Sequence, residues 1–528
     1  MKKQERRKEE GITLVALVVT IIVLIILAGV SINIVLDQNG IIEKTQEAKN
    51  ETEQAEKDEK KELGKAEDII NQYLTGIEVE QVTDENPGML EVEEADTYII
   101  NSIEDLVFFS YDVTNGNTYE GQTVKLGLSL DFNSNKSYVE PLRTNYGEYG
   151  YDGELKTLLI NQSGFVPVGS IEDIEDGINC FQGIFDGNGK IIYNLYMNKI
   201  LGENVNTCGL FSTNFGTIKN LNLENINLKV TANNNAVLAG GIAGRNSGTI
   251  MNCSTSGDIN VTNNGSSSVQ VGGIAGQGLT SEKIDKCINK CNLNIYINTG
   301  SGIISGIVGS NNRNEITSCC NYGNILISNY TEEKIYVSGI THNSLITNCY
   351  NSGNIIVNSY SYGTINLAGI ESRSTLECSN CYNAGDIILN GTAKEVRIGG
   401  IGSDSDKVMN CINFGKITAN ADTLYLGGVL GYSYQGNINN IYNYGEIAGT
   451  GTTDNYKGLL IGGIHTVTLK DGFYKVQGDE LAIGDNYNSK TENINILDDE
   501  LDTISVLGDE FKKDINNINN GHPILQWQ

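Results

Sequence analysis

The sequence is poor in proline, histidine and positive charge, and each shortage excludes a class of protein. Only 4 prolines occur in 528 residues, so the 61 glycines indicate tight turns in ordered β-structure and not a Pro-rich linker. The 3 histidines, His342, His465 and His522, lie far apart with no HExxH pattern, which excludes a helix-borne zinc protease. With 36 Lys and Arg against 65 Asp and Glu, the net charge is −29. This charge repels phosphate backbones, and we expect no nucleic-acid partner.

Charge is absent from residues 12–36, an apolar run of 25 residues that follows a leader with 5 basic residues in its first ten. A helix of this length crosses a hydrocarbon core about 30 Å thick, and the basic flank favours a cytoplasmic N-terminus. Residues 37–76 are densely charged, with Glu53–Lys57 and Glu56–Lys60 spaced as ion pairs on a helix. The sequence therefore predicts a single-pass transmembrane helix and a helical stalk, with the bulk of the chain extracellular.

Gly11-Ile12-Thr13-Leu14 joins the leader to the apolar run. This junction resembles the processing site of type IV prepilins and pseudopilins. The resemblance implies removal of the 1–11 leader by cleavage between Gly11 and Ile12, and subunits of a pilus or secretion machine as partners. Ala16 stands at the fifth mature position, where the family usually has a Glu that contacts the neighbouring subunit. That departure leaves filament assembly open, and a plain uncleaved signal anchor is the alternative.

A repeat of 28 to 35 residues occupies residues 204–475. Each copy has an apolar–small–Gly–apolar block, followed by a block that reads Cys-x-Asn-x-Gly-x-Ile. The period is too short for a propeller blade and lacks the pattern of helical repeats. It predicts an all-β parallel β-helix (β-solenoid) of about nine or more turns, with about three short strands per turn. The first block has a weak copy at Gly209. In the copies that follow, its Gly is Gly241, Gly273, Gly306, Gly339, Gly369, Gly400, Gly428 and Gly463.

The Asn of the second block predicts a ladder in which each amide bonds the amide of the next turn. Ile355 is expected to point inward between Ile325 and Ile387. The recurring Gly is expected where the chain needs a positive φ or has no room for a Cβ. The predicted ladder residues are Asn289, Asn321, Asn351, Asn383, Asn413 and Asn443.

The Cys of the second block forms a column with two interpretations. Stacked thiols could form disulfides between turns or a metal site. Alternatively, Cys is a small buried hydrophobe interchangeable with Ile, as Ile441 at the equivalent position suggests. Cys378–Cys381 is an isolated CxxC pair, which does not recur at metal-ligand spacing.

The repeat blocks resemble the GLUG motif, roughly GG-L/I-x-G followed by N-C-Y-N-x-G-x-I/V. The copies at Gly241 and Gly273 and at Cys349-Tyr350-Asn351 match closely. The resemblance implies a bacterial surface or secreted protein and carries no activity of its own, because in IgA-cleaving metallopeptidases the motif lies outside the protease domain. Phe181 to Gly189 resembles the turn that leads into such arrays, and a turn role is the favoured interpretation of its Asp186.

Both ends of a solenoid need covers, because they expose unpaired strand edges. Residues 97–203 are predicted to be a capping module, with a helix that starts at Ser102 and continues through Val113, and a strand over Thr123–Leu130. Residues 476–528 are predicted to be a C-terminal cap, with Trp527 packed over the last turn.

No catalytic, cofactor-binding or metal-ligating residue is predicted. The residues after the repeat Gly alternate in charge, and Asp404-Ser405-Asp406 is interpreted as a solvated loop, with a weak cation site as the alternative. Tyr322, Tyr350 and Tyr382 could stack on a sugar or on one another. The sequence favours a membrane-anchored, pilin-like surface protein that binds a glycan or protein ligand in adhesion, or that serves as a structural element. A carbohydrate-active β-helix enzyme and a minor pseudopilin are the alternatives.

Overall fold

The computed structural model describes residues 90–94, 96–132, 164–169, 179–201, 206–233, 236–279, 283–497 and 503–528. This part of the chain is a parallel β-solenoid, which confirms the predicted class. Successive repeats lie one above the other in register, and the Gly of each first block accounts for one of about nine stacked turns. The leader, the apolar run 12–36 and the stalk 37–76 lie outside the described residues. Among the described residues, no helix is long and apolar enough to span a membrane.

Each turn contains four stacked columns of strands, which we number along the chain from the Gly-Gly corner. Column one contains Phe211–Asn214, Ala243–Asn246, Ala275–Gly278, Val308–Ser310, the start of Gly402–Asn413, Leu430–Ser433, Ile461–His465 and Ile483–Tyr487. Column two contains Ile184–Asp186, Thr217–Lys219, Thr249–Met251, Lys283–Asp285, Glu315–Thr317, Leu345–Thr347, Ser374–Ser379, the middle of Gly402–Asn413, Gly436–Asn443, Val467–Tyr474 and Lys490–Ile496.

Columns three and four complete each turn. Column three contains Ile191–Tyr193, Tyr196–Leu201, Asn222–Ala232, Ser254–Asn263, Ile288–Ile297, Cys320–Asn321, Ile325–Asn329, Tyr350–Asn351, Ile355–Ser359, Tyr382–Asn383, Ile387–Gly391, Ile417–Gly427 and Ile447–Gly458. Column four contains Asn206–Cys208, Val237–Gly240, Val269–Gly272, Gly302–Ser305, Ile335–Ser338, Thr364–Ala368 and Glu395–Gly399, and then the ends of the two long strands that finish at Gly427 and Gly458.

The prediction of three strands per turn missed column one. Its strands fold back against column four so closely that a Cβ on Gly244 would lie 2.6 Å from the backbone nitrogen of Cys208. Glycine permits this approach. The same glycines make the segment resemble a turn in the sequence, although its strands pair in parallel from one turn to the next.

The predicted register is confirmed. Ile355 pairs with Ile325 on one side and Ile387 on the other, and all three side chains are fully buried. The neighbouring Ile356 points outward and is half-buried. A slip of one residue would exchange the two faces, so the apolar alternation holds each turn in place.

The recurring Gly was expected either to adopt a positive φ or to leave no room for a Cβ. In the structure, these two features occur at different residue types. Gly353 does not adopt a positive φ, but a Cβ there would lie 2.0 Å from the carbonyl oxygen of Gly323. The residue before the Cys supplies the left-handed corner instead, with φ of 56° at Asn348 and 52° at Asn380. Asn tolerates the left-handed conformation better than other residues with a side chain. Here the corner side chains also bond from turn to turn, since Asn380 Nδ2 donates to Asn348 Oδ1 at 3.1 Å.

The N-terminal end of the solenoid is closed by a helix, Ile103–Thr114, capped by Ser102 and Asp105 in a capping box. The helix confirms the prediction from Ser102. Its Phe109 packs on Phe181, Phe185 and Phe211 with ring centroids 5.5, 5.7 and 6.3 Å apart. The strands beside the helix are Glu91–Glu94, Thr97–Ile100, Thr123–Leu126 and Leu130–Asp131, so the predicted strand Thr123–Leu130 is divided in two.

The C-terminal segment does not cover the last turn, and this part of the prediction is wrong. Residues 483–496 add a shortened turn to the solenoid. Residues 503–528, which we call the C-terminal clasp, then lie against the side of the solenoid several turns earlier. The clasp comprises Thr503–Leu507, a short helix, and the antiparallel strands Phe511–Lys512 and Ile524–Leu525.

The clasp binds the side of the solenoid because the residues that follow each Cys point outward and form an apolar column there. Tyr350 and Tyr382 stack there at 4.9 Å with an 8° interplanar angle, and both are fully buried beneath the clasp. Gln528 reaches this column, where its Oε1 accepts from Tyr350 Oη at 2.9 Å, and Phe511 packs on Tyr382 at 5.9 Å. Trp527 is partly buried against the same cluster. The clasp therefore covers an outward apolar stripe that would otherwise be exposed to solvent.

Candidate ligand-binding surface

The six predicted ladder asparagines form one line of hydrogen bonds inside the solenoid. Each Nδ2 donates to the Oδ1 of the next turn at 2.7 to 2.9 Å, from Asn289 as far as Asn443. Each Nδ2 also donates to a carbonyl two residues later in its own turn, at 2.8 to 3.1 Å. All six are fully buried, so they stabilise a corner and offer nothing to a ligand.

All 11 cysteines are buried and free, and the column forms no disulfide. Cys349 is representative of the column. Its Sγ lies 3.3 Å from the carbonyl oxygen of Thr347, and it accepts the N–H of Cys319 at 3.3 Å. Within the described ranges, no group of three or more His, Cys, Asp or Glu residues is arranged to hold a metal ion. The thiols therefore act as small core side chains with weak hydrogen bonds.

The acidic residues singled out from the sequence are held by structural contacts. Asp186 accepts the backbone N–H of Asn188 at 2.8 Å and pairs with Lys219 at 3.3 Å. Its pKa is lowered, because these contacts outweigh the effect of burial. Asp404 and Asp406 lie in a strand, not in the expected loop. Asp404 binds Arg397 at 2.7 Å, and Asp406 accepts two backbone N–H groups.

The exposed residues after the repeat Gly form a further structural line. The Oδ1 atoms of Asn354 and Asp386 each accept the backbone N–H of the equivalent residue one turn later, at 2.9 Å. Lys416 continues the line and pairs with Glu446 at 3.2 Å. These contacts hold adjacent turns together, and they do not bring two acids within reach of one bond, as hydrolysis of a glycan requires.

Glu371 is a fully buried acid that sequence reasoning missed. Neither of its carboxylate oxygens has a hydrogen-bond partner, and burial raises its pKa to about 8. Gly402 is the residue that pairs with Glu371 in the next turn. An enclosed, neutral acid cannot reach a polysaccharide, so Glu371 belongs to the core.

The tyrosines singled out near the Cys column are not a free surface. Tyr382 donates to the carbonyl of Pro523, and Gln528 Nε2 donates to Tyr322 Oη at 3.1 Å. Burial beneath the clasp raises the pKa of Tyr350 and Tyr382, which remain uncharged. These rings stack on one another and on the clasp, which decides between the two predicted roles.

Exposed aromatic residues occur on a different surface, at the outer end of column three. We call Tyr296, Tyr330, Tyr360, Tyr362 and Leu326 the tyrosine face. Tyr330 lies between Tyr296 at 5.1 Å and Tyr360 at 4.7 Å, and the second pair is nearly parallel at 18°. Tyr360 is 61% exposed and Tyr362 is 50% exposed. No sequence motif marks these residues, because they fall in the variable segment between repeat blocks.

The stack leaves one flat ring face open. Tyr296 and Tyr360 cover the two faces of Tyr330, whereas the equivalent position one turn beyond Tyr360 is at Gly391-Thr392, which has no aromatic ring. Tyr362, two residues after Tyr360, donates its hydroxyl to Asp422. A flat apolar ring with polar groups around it is suited to the apolar face of a sugar.

A second exposed stack lies near the C-terminal end. His465 is sandwiched between Tyr434 at 4.8 Å and Tyr487 at 4.6 Å, with interplanar angles of 4° and 12°. Nearby, Arg397 lies over Tyr432 at 4.7 Å, but it is already paired with Glu395 and Asp404. That guanidinium is therefore occupied within the fold.

The predicted processing site, Gly11 and Ile12, lies outside the described residues. No protein-family model matches this chain, and no curated protein matches it. A crystal structure from Bacteroides ovatus, described as a "putative immunoglobulin A1 protease", is similar over 84% of this chain and 95% of that chain. The two share 14% sequence identity with a TM-score of 0.36.

Proposed function

We propose that this chain is a membrane-anchored, pilin-like surface protein whose solenoid binds neutral glycans through the tyrosine face. The exposed ring of Tyr360, stacked on Tyr330 on one side, is the observation that carries the proposal. The net charge of −29 repels acidic polysaccharides and favours neutral ones. The acids described above are separate and structurally engaged, which supports binding and not catalysis.

The test is a glycan array probed with the full chain purified in detergent. Tyr360→Ala should reduce binding most, because it removes the open ring, and Tyr296→Ala should reduce it least. Loss of one stacking ring costs about 0.5–1.5 kcal/mol, or roughly 2- to 12-fold in affinity. Tyr434→Ala is the matched control, an exposed tyrosine of the other stack, and should leave binding unchanged.

Two results would overturn this proposal. Equal binding by Tyr360→Ala and the unaltered chain would remove the tyrosine face as the site. New reducing ends or unsaturated products from a polysaccharide would favour the carbohydrate-active enzyme instead.

The anchoring part of the proposal has its own test. N-terminal sequencing of the membrane fraction should give Ile12 as the first residue, and Gly11→Val should leave the leader attached. A first residue at Met1 in the unaltered chain would instead favour a plain signal anchor.

A further inference from the structure

The clasp leaves the C-terminal end of the solenoid uncovered. Within the described residues, Ile447–Gly458 pairs with one neighbour only, Ile417–Gly427. Ile483–Tyr487 and Lys490–Ile496 likewise pair only with the turn before them. We call these three strands the open end. Apart from Ile447, whose N–H donates to Gln477 Oε1 at 2.9 Å, these strands present an outer edge that a further strand can pair with.

Large apolar side chains concentrate at the open end. Leu481, Tyr487 and Ile496 are each more than 60% exposed, and Val476 is 49% exposed. Ordinary surfaces scatter such residues singly, and an unpaired strand edge with apolar neighbours is a site for β-strand addition.

The opposite end of the solenoid differs from the open end. There the helix Ile103–Thr114 and its Phe109 cover the core, and the sheet ends in an antiparallel hairpin of Glu91–Glu94 and Thr97–Ile100. Head-to-tail stacking would require two open ends of opposite polarity. Contact between two identical open ends, related by a two-fold axis, needs only one.

The first three residues of the edge strand, Lys490–Glu492, are self-complementary about Thr491, and a positive φ of 55° at Asn493 ends this extended segment. In an antiparallel pair centred on Thr491, Lys490 of one copy faces Glu492 of the other, and the contact occurs twice by symmetry. Both side chains are exposed, and neither forms an ion pair within the described part of the chain. Opposite charges directly across an antiparallel pair favour that register.

We propose that the open end binds the open end of a second copy of this chain, forming a two-fold dimer through antiparallel pairing of Lys490–Glu492 about Thr491. The chain enters the solenoid at the closed end, near Leu90, so the dimer leaves its two points of chain entry at opposite ends. If the anchoring proposed above holds, the dimer joins two cell surfaces. The dimer itself does not depend on glycan binding.

Crosslinking tests the register. Thr491→Cys in the full chain places a single accessible thiol on the two-fold axis, because the native cysteines are buried. A short bis-maleimide should convert it to a covalent dimer. Thr392→Cys, an exposed site several turns away, is the control and should remain monomeric. A monomeric Thr491→Cys product would overturn the proposal.

Exchange of the two charges tests whether the dimer forms through the Lys490–Glu492 contact or through another surface. Lys490→Glu should abolish the dimer in sedimentation, since it places like charges opposite each other, and Lys490→Glu with Glu492→Lys should restore it. Both residues are exposed, so folding and glycan binding should be unchanged in each variant. A Lys490→Glu dimer as stable as the unaltered one, or a double variant that remains monomeric, would refute the antiparallel register.

Discussion

Single residues in this solenoid contact the equivalent residues of the turns above and below, because the same position recurs one turn later. Asn351 accepts from Asn321 at 2.7 Å and donates to Asn383 and to the carbonyl of Gly353, both at 2.8 Å. Removal of one amide therefore affects polar groups in three turns. A buried polar group without a partner costs more than the hydrogen bond contributes on average.

Asn351→Leu should destabilise the protein by about 3 kcal/mol or more, since each buried group left unpaired costs about 1–3 kcal/mol. Asn354→Ala, three residues later on the exposed side, should cost under about 1 kcal/mol. The midpoint of urea unfolding, followed by circular dichroism, measures both. Equal midpoints for the two variants would show that the ladder is not a source of stability.

Glu371 gives the stability a pH dependence of known sign. Its folded pKa, about 8, lies above the value of 4.5 for an unperturbed Glu, so the folded state holds a proton that the unfolded state loses. This contribution is fully present below pH 4.5 and is lost as the pH rises toward 8. We expect the difference in unfolding free energy between the protein and Glu371→Gln to change by a few kcal/mol across this window. A difference that is constant with pH would mean that Glu371 is ionised in the folded protein.

At the scale of one strand, period-two alternation decides what a substitution does. Ile355 is fully buried between two other isoleucines, whereas Ile356 points outward. Ile355→Asp buries a charge and should unfold neighbouring turns as well as its own, because each turn is supported mainly by its neighbours. Ile356→Asp is the matched control and should retain the β-sheet spectrum and protease resistance. Loss of structure in both variants would contradict the assigned faces.

The sequence was sufficient to predict the elements that every turn repeats. The inward Ile and the stacked Asn recur at one position, so their spacing alone predicts register. Column one was missed because its close approach to column four requires glycines, such as Gly244, that resemble a turn. The tyrosine face was missed because Tyr330 and Tyr360 lie between the repeat blocks, where only the folded structure brings them together.

At the scale of the described solenoid, most contacts join a turn to the turn next to it. The clasp instead contacts turns that lie far from it along the chain. Gln528 contacts Tyr350 and Cys320, which lie 178 and 208 positions earlier in the chain. The prediction misplaced the clasp because end covers are common in solenoids, whereas the outward column of Cys320, Tyr350 and Tyr382 is seen only in the folded structure.

Deletion of residues 503–528 should make Cys320 reactive while the intact chain remains unreactive. The clasp covers Cys320, whose Sγ accepts from Gln528 Nε2 at 3.4 Å, and the adjacent Cys319 points into the core. Titration with a thiol reagent under native conditions should find one accessible thiol in the truncated chain and none in the intact one. The same deletion combined with Cys320→Ser should again show none. More than one reactive thiol would mean that the clasp supports the core itself.

The sequence separation between the clasp and the residues that it binds also determines when they can meet during synthesis. A solenoid can add turns in order as the chain emerges, since each turn needs only the one before it. The column at Tyr350 is an exception, because the residue that binds it is made 178 positions later. At about 5–20 residues per second, this apolar stripe waits roughly 10 to 35 s for its cover. During that interval the nascent protein has an exposed apolar surface along one side. A chaperone that covers this surface would bind a chain whose turns have already stacked.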